Sequence, residues 1–91
     1  MSDIVRNNTA ENRFELDVNG RTALAFYRME LGVITFLHTE VPQELSGGGV
    51  GSRLVRGALE EVRKLGLKVV PKCPFVAAYI GKHPAFSDLL R

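Results

Sequence analysis

The hydrophobic period of this chain changes near its middle, and that change constrains its fold more than any other feature. Upstream, apolar and polar residues alternate, as in Arg13-Phe14-Glu15-Leu16-Asp17-Val18. Downstream, Val50, Leu54, Val55, Ala58, Leu59, Val62 and Leu65 recur at helical spacing. Alternation is the pattern of a half-buried strand, and a 3.6-residue period is that of a helix with one buried stripe. The two regimes meet at Ser46-Gly47-Gly48-Gly49-Val50-Gly51-Ser52. A chain divided in this way predicts an α+β fold, with strands gathered first and helices after.

Turn chemistry supplies the detail. Asn19-Gly20 is a strong two-residue hairpin signal, and the chain returns through Thr22 to Glu30 before turning again at Leu31-Gly32. The run from Val33 to Val41 is rich in β-branched and aromatic residues, and Pro42 ends it. Three strands on short turns predict an antiparallel meander. In the helix that follows, Arg53, Arg56, Glu60, Glu61, Arg63 and Lys64 fill the polar face, and Gly66 stands where a helix stop belongs. Leu67 to Lys72 reads as a fourth strand, and Phe75 to Ile80 as a short apolar helix entered through Cys73-Pro74. The predicted order is βββαβα in a single domain over residues 1–91, with the polar residues 1–12 as a frayed terminus.

Composition excludes several classes. The 91 residues are 45% hydrophobic and 24% charged, an ordinary globular balance. No apolar run approaches the roughly 20 residues of a membrane helix, and the start lacks a signal peptide's apolar core. A single cysteine forms no internal disulfide, so a reducing, cytoplasmic setting is expected. One cysteine and two distant histidines match no metal-ligand spacing, so no metal is expected. Residues 1–52 carry a balance of −3 and residues 53–91 one of +5. That asymmetry suits an anionic ligand or a solvated helix face, while the lack of interleaved aromatics argues against nucleic acid.

The glycine loop is the most informative stretch. Each glycine there costs more backbone entropy on folding than any other residue, and a simple capped turn needs only one or two. Backbone that approaches closely, at a helix N-terminus with unpaired N–H groups, is a phosphate site. No lysine follows Gly51, which excludes a P-loop. A Gly-x-Gly-x-x-Gly reading fails at Ser52 from Gly47 and at Leu54 from Gly49, and it lacks a parallel βαβ setting.

The segment Val41-Pro42-Gln43-Glu44-Leu45-Ser46-Gly47-Gly48-Gly49-Val50-Gly51-Ser52-Arg53-Leu54-Val55 resembles the pyrophosphate-binding segment of the GNAT superfamily of acetyl-CoA-dependent N-acetyltransferases. Gly49 and Gly51 match its small-residue positions. Ser46 stands where that family has glutamine or arginine, and Gly48 replaces a polar residue. Val70 to Pro84, with Cys73-Pro74 and Tyr79 inside it, resembles the signature of a minimal single-domain GNAT subgroup that carries a cysteine there. The resemblance implies that acetyl-CoA, as cosubstrate, lies in a cleft between the third and fourth strands. It also implies contacts from Val41, Ser46, Gly47, Gly48, Gly49, Val50, Gly51 and Ser52, with Lys82 at a CoA phosphate.

Four residues are candidates for chemistry. Cys73, at a strand end and a helix N-cap beside Lys72, is placed to favour the nucleophilic thiolate, or else is an inert core cysteine. Tyr79 resembles the tyrosine with which many GNAT enzymes protonate the departing CoA thiolate, or else packs its ring in the core. His38 and Glu40 are two apart on the third strand, on the face that alternation also assigns to Ile34 and Phe36. Either is a candidate base for deprotonating an amine, and a solvated pair at a strand end is the plainer reading. The expected function is acetyl transfer to an unidentified amine, in a protein or a small molecule. The alternatives are a CoA-binding module without turnover and a general phosphate binder. Exposed sheet edges leave pairing with a second copy open.

Overall fold

The computed structural model describes residues 4–45 and 47–91. Four strands come before the first long helix: β1 (Arg6–Asn8), β2 (Arg13–Val18), β3 (Arg21–Glu30) and β4 (Val33–Glu40). A 3-10 turn (Gln43–Leu45) leads towards α1 (Val50–Lys64). Then follow β5 (Lys68–Pro71), α2 (Pro74–Lys82) and a 3-10 segment (Pro84–Leu89). The sheet order is β1-β2-β3-β4-β5, antiparallel throughout except for β5, which α1 brings back parallel to β4.

The turns form as their residues require. Asn19 and Gly20 both have positive φ, 50° and 77°, the backbone that matches the twist of a two-residue hairpin. Leu31 and Gly32 make the same turn at 47° and 79°, although leucine has no preference for it.

The strand β1 departs from the expected frayed terminus. It has no apolar alternation, so nothing in its pattern announces it. Its pairing rests on polar contacts: Arg6 bonds Glu15 at 2.8 Å, and Asn8 donates to Glu15 at 3.0 Å. The Tyr27 hydroxyl donates to Asn7 at 2.6 Å. Just upstream, Val5 rests on α1 at Gly57, where a Cβ would collide with it.

One sheet face carries Phe14, Leu16, Ala23, Ala25, Tyr27, Ile34 and Phe36, all buried. Against it pack the α1 stripe, Val50, Leu54, Val55, Ala58, Leu59 and Val62, and the inner side of α2, Val76, Tyr79 and Ile80. The opposite face exposes Arg28, Glu30, His38 and Glu40, and no helix among the described residues covers it.

A bulge in β4 decides which residues meet which face. Tyr27 pairs with Phe36 but Phe26 pairs with His38, so Leu37 is the extra residue. Alternation resumes out of phase beyond it. His38 and Glu40 therefore lie on the uncovered face, opposite Ile34 and Phe36, which corrects the shared face expected from simple alternation. Thr39, paired with Ala25, takes the helix side instead.

Candidate functional site

The glycine loop is built as a helix start without a side-chain cap. Gly47 and Gly49 have φ of 85° and 74°, values that L-residues rarely adopt, and Gly49 is the N-cap of α1. The helical ladder begins with the Arg53 N–H donating to the Gly49 carbonyl at 3.0 Å. The N–H groups of Val50, Gly51 and Ser52 are thus left without an intrahelical acceptor. No acidic side chain stands in this first turn to compensate the helix dipole. A cleft of about 250 Å³ lies there, lined by Val41, Leu45, Gly47, Gly49, Val50, Gly51, Ser52 and Phe75. Gly48 is absent from that lining, and its N–H is spent on the Leu45 carbonyl at 3.3 Å. Ser46 lies outside the described residues.

Phe75 is the residue that sequence reasoning passed over. Its ring lies against Gly51 so closely that a Cβ there would stand 2.7 Å from its Cζ. Phe75 and Ser52 also line a second hollow of about 120 Å³, with Ala78, Tyr79, Lys82 and His83. The two hollows share a wall, so Phe75 divides one groove that runs from the glycine loop along α2. Its position directly after Cys73-Pro74 at the start of an apolar helix was the available signal.

Tyr79 is 8% exposed, its ring stacked on His83 with centroids 4.1 Å apart. Burial pushes its phenol above the usual value; Arg56 pulls it down and Glu60 raises it further. Its hydroxyl makes no hydrogen bond among the described residues, so its O–H is not committed to a protein acceptor. Lys82 borders the same hollow.

Cys73 is the N-cap of α2, as its spacing predicted. Its N–H donates to the Phe36 carbonyl at 2.9 Å, one step beyond the last β4–β5 pair, Phe36 with Pro71. From that point β4 runs on through its bulge while the other chain turns away into α2, so the two strands part. Cys73 is buried, 3% exposed as a residue, and its sulfur stands 3.2 Å from the Thr39 hydroxyl. Thr39 was also missed, because only the bulge turns it inward.

His38 and Glu40 pair with each other at 3.2 Å on the uncovered face, where His38 also stacks on Phe26. The structure therefore brings the loop, Phe75, Tyr79 and Lys82 into one groove. Cys73 lines neither hollow, and the His38–Glu40 pair lies across the sheet from the groove. No helix among the described residues is long and apolar enough to cross a membrane.

A model of the GCN5-related N-acetyltransferase family matches residues 13–89, which include the loop, α1, the parting strands and α2. The chain belongs to the GCN5-related N-acetyltransferase family. Protein NATD1 of Mus musculus is 26% identical over 83 residues, covering 88% of this chain and 76% of that protein. The Homo sapiens NATD1 is likewise 26% identical, over 88% of this chain and 74% of its own length. The solution NMR structure of a GCN5-like candidate N-acetyltransferase from Staphylococcus aureus superposes with a TM-score of 0.73 and 30% identity. It covers 100% of this chain and 91% of that one, so this GCN5-related chain shares the whole of its fold with that protein.

Proposed function

We propose that this protein transfers an acetyl group from acetyl-CoA to an amine. The observation that carries the reading is the uncapped start of α1, opening on a groove that passes Phe75 to the buried phenol of Tyr79. The residues present suit the ligand: a Cβ at Gly47 or Gly49 would meet nothing within 4 Å, so the loop is bare backbone open to a phosphate. When bound, acetyl-CoA supplies its acetyl group as an activated thioester. The free N–H groups of Val50, Gly51 and Ser52 hold the pyrophosphate, and Lys82 reaches a further phosphate. The parting of β4 and β5 receives the pantetheine arm.

Within that frame, Tyr79 donates its proton to the departing thiolate, and burial keeps the phenol protonated for the task. His38 or Glu40 takes the proton from the incoming ammonium, since both face the uncovered side of the sheet. Cys73 offers a second route. Its sulfur takes the acetyl group while CoA leaves with the thiol proton; the amine then takes the acetyl and returns a proton to sulfur. One observation favours a non-catalytic CoA-binding module instead: the thiol is nearly enclosed and held beside Thr39.

The deciding experiment incubates wild type and Cys73→Ala with acetyl-CoA and measures intact mass, with calorimetry of CoA binding alongside. An adduct of about 42 Da confined to the wild type, and lost on adding an amine, supports the relay. Saturable amine acetylation without an adduct supports direct transfer. CoA binding with no amine-dependent turnover supports the binding module, and absence of CoA binding overturns the reading altogether.

A further inference from the structure

The uncovered sheet face holds a groove of about 400 Å³ that takes no part in the site described above. Its floor is the row Arg28, Thr35 and Val70, paired across β3, β4 and β5, with Val33 beside it. Three cationic side chains line it, those of Arg28, Lys72 and Arg91, against one acidic side chain, that of Glu30. Glu30 is taken up by Arg28 at 3.4 Å, whereas Lys72 and Arg91 make no side-chain ion pair among the described residues. The second observation is Thr35. The residue is 7% exposed and lines the groove; its hydroxyl makes no hydrogen bond among the described residues and is not one of the sealed polar atoms, so it opens on the groove. A hydroxyl that opens on the floor of a cationic groove is placed to donate to an oxyanion seated there.

The groove's position says whose oxyanion. Lys72 directly precedes Cys73, and Thr35 lies two residues before the bulged Leu37, where β4 and β5 part. Two residues of strand span about 7 Å. We propose that this groove binds the carboxylate or phosphate of the acceptor, and that the acceptor is an amine carrying such a group about 7 Å from its nitrogen. The acceptor role rests on the acetyl-transfer reading; the groove's taste for an oxyanion does not. Arg28 and Lys72 supply charge, Thr35 donates its hydroxyl, and the amine reaches the parting where the thioester is presented.

The test is an amide chemical-shift titration of isotopically labelled protein without acetyl-CoA. The probes are inorganic phosphate, glycylglycine and glycylglycine amide, the dipeptide spanning about 7 Å. Phosphate and glycylglycine are expected to move the amides of Arg28, Val33, Thr35, Val70 and Lys72. The neutral-ended dipeptide is expected to bind at least about five-fold more weakly. Lys72→Gln and Thr35→Val should each weaken glycylglycine by a similar factor, and if Thr35→Val fails to fold, the exposed Lys72 carries the comparison alone. Equal binding of the two dipeptides overturns the proposal, as do shifts confined to the Gly47–Ser52 loop or variants that bind like wild type. Acetyl-CoA takes no part, so a failure here leaves acetyl transfer standing. Conversely, absent CoA binding in calorimetry overturns acetyl transfer without touching the groove measurement.

Discussion

Replacing Gly51 with alanine probes the contact that joins α1 to α2 at the mouth of the groove. Gly51 is a helical residue, so its φ gives no reason for glycine; the reason is Phe75. A Cβ would stand 2.7 Å from the ring's Cζ and 3.3 and 3.4 Å from the adjoining carbons. Carbon atoms pack comfortably at about 3.5–4.0 Å, so the ring must retreat by about 1 Å. Phe75 is 42% exposed, which leaves it room on the solvent side. Two terms then oppose each other. Alanine gains up to about 1 kcal/mol in helix propensity, and overpacking costs about 1–3 kcal/mol. Gly51→Ala should therefore destabilise the wild type by about 0–2 kcal/mol. In a Phe75→Ala background only the propensity gain remains, and the same change should stabilise by up to about 1 kcal/mol. Urea unfolding followed by circular dichroism, on the four proteins of the cycle, measures both values at constant m. If Gly51→Ala has the same effect in both backgrounds, within about 0.5 kcal/mol, the argument from the Phe75 contact is wrong.

Three further outcomes are expected. Leu31 is fully exposed at φ 47°, so Leu31→Asn should raise stability by about 0.5–1 kcal/mol in the same urea assay; an unchanged or lower midpoint counts against strain at that turn. Hydrogen bonds from Asn8 and Arg13, with the charges of Arg13 and Arg6, hold the Glu15 carboxyl below its ordinary 4.5, although burial opposes them. The unfolded chain therefore binds this proton first as pH falls. The contribution of Glu15 is complete above about pH 4.5 and is lost as pH drops through the folded value. Glu15→Gln should flatten that acid limb of the urea midpoint, and parallel curves for the two proteins would refute it. Tyr79→Phe keeps the ring that stacks on His83 and removes only the proton. Amine acetylation should fall by about 10²–10⁴ with CoA affinity retained, and full activity would exclude the phenol as the acid.

Much of the fold was legible because its causes are local. Asn19-Gly20, the α1 stripe and Pro74 act through neighbours in the chain, and each forms the element its pattern predicted. The loop at Gly47–Gly51 and the N-cap position of Cys73 were legible for the same reason. The strand β1 was not. Arg6, Asn7 and Asn8 have no periodic signal, and their partners Glu15 and Tyr27 are 7 to 20 residues away in sequence. Phe75 and Thr39 escaped similarly, since each matters only for what another element sets against it.

The sequence alone determined which segments are strand and helix, where they turn, and where bare backbone meets a helix start, all consequences of side-chain period and φ preference. The tertiary structure decided which side of the sheet each residue of β4 serves. A strand's side chains alternate strictly, so one extra residue at Leu37, set by the register with β3, reverses every position after it. That reversal places Thr39 beside Cys73 and sends His38 and Glu40 to the uncovered face. It depends on two strands pairing out of step, which no single stretch of sequence displays.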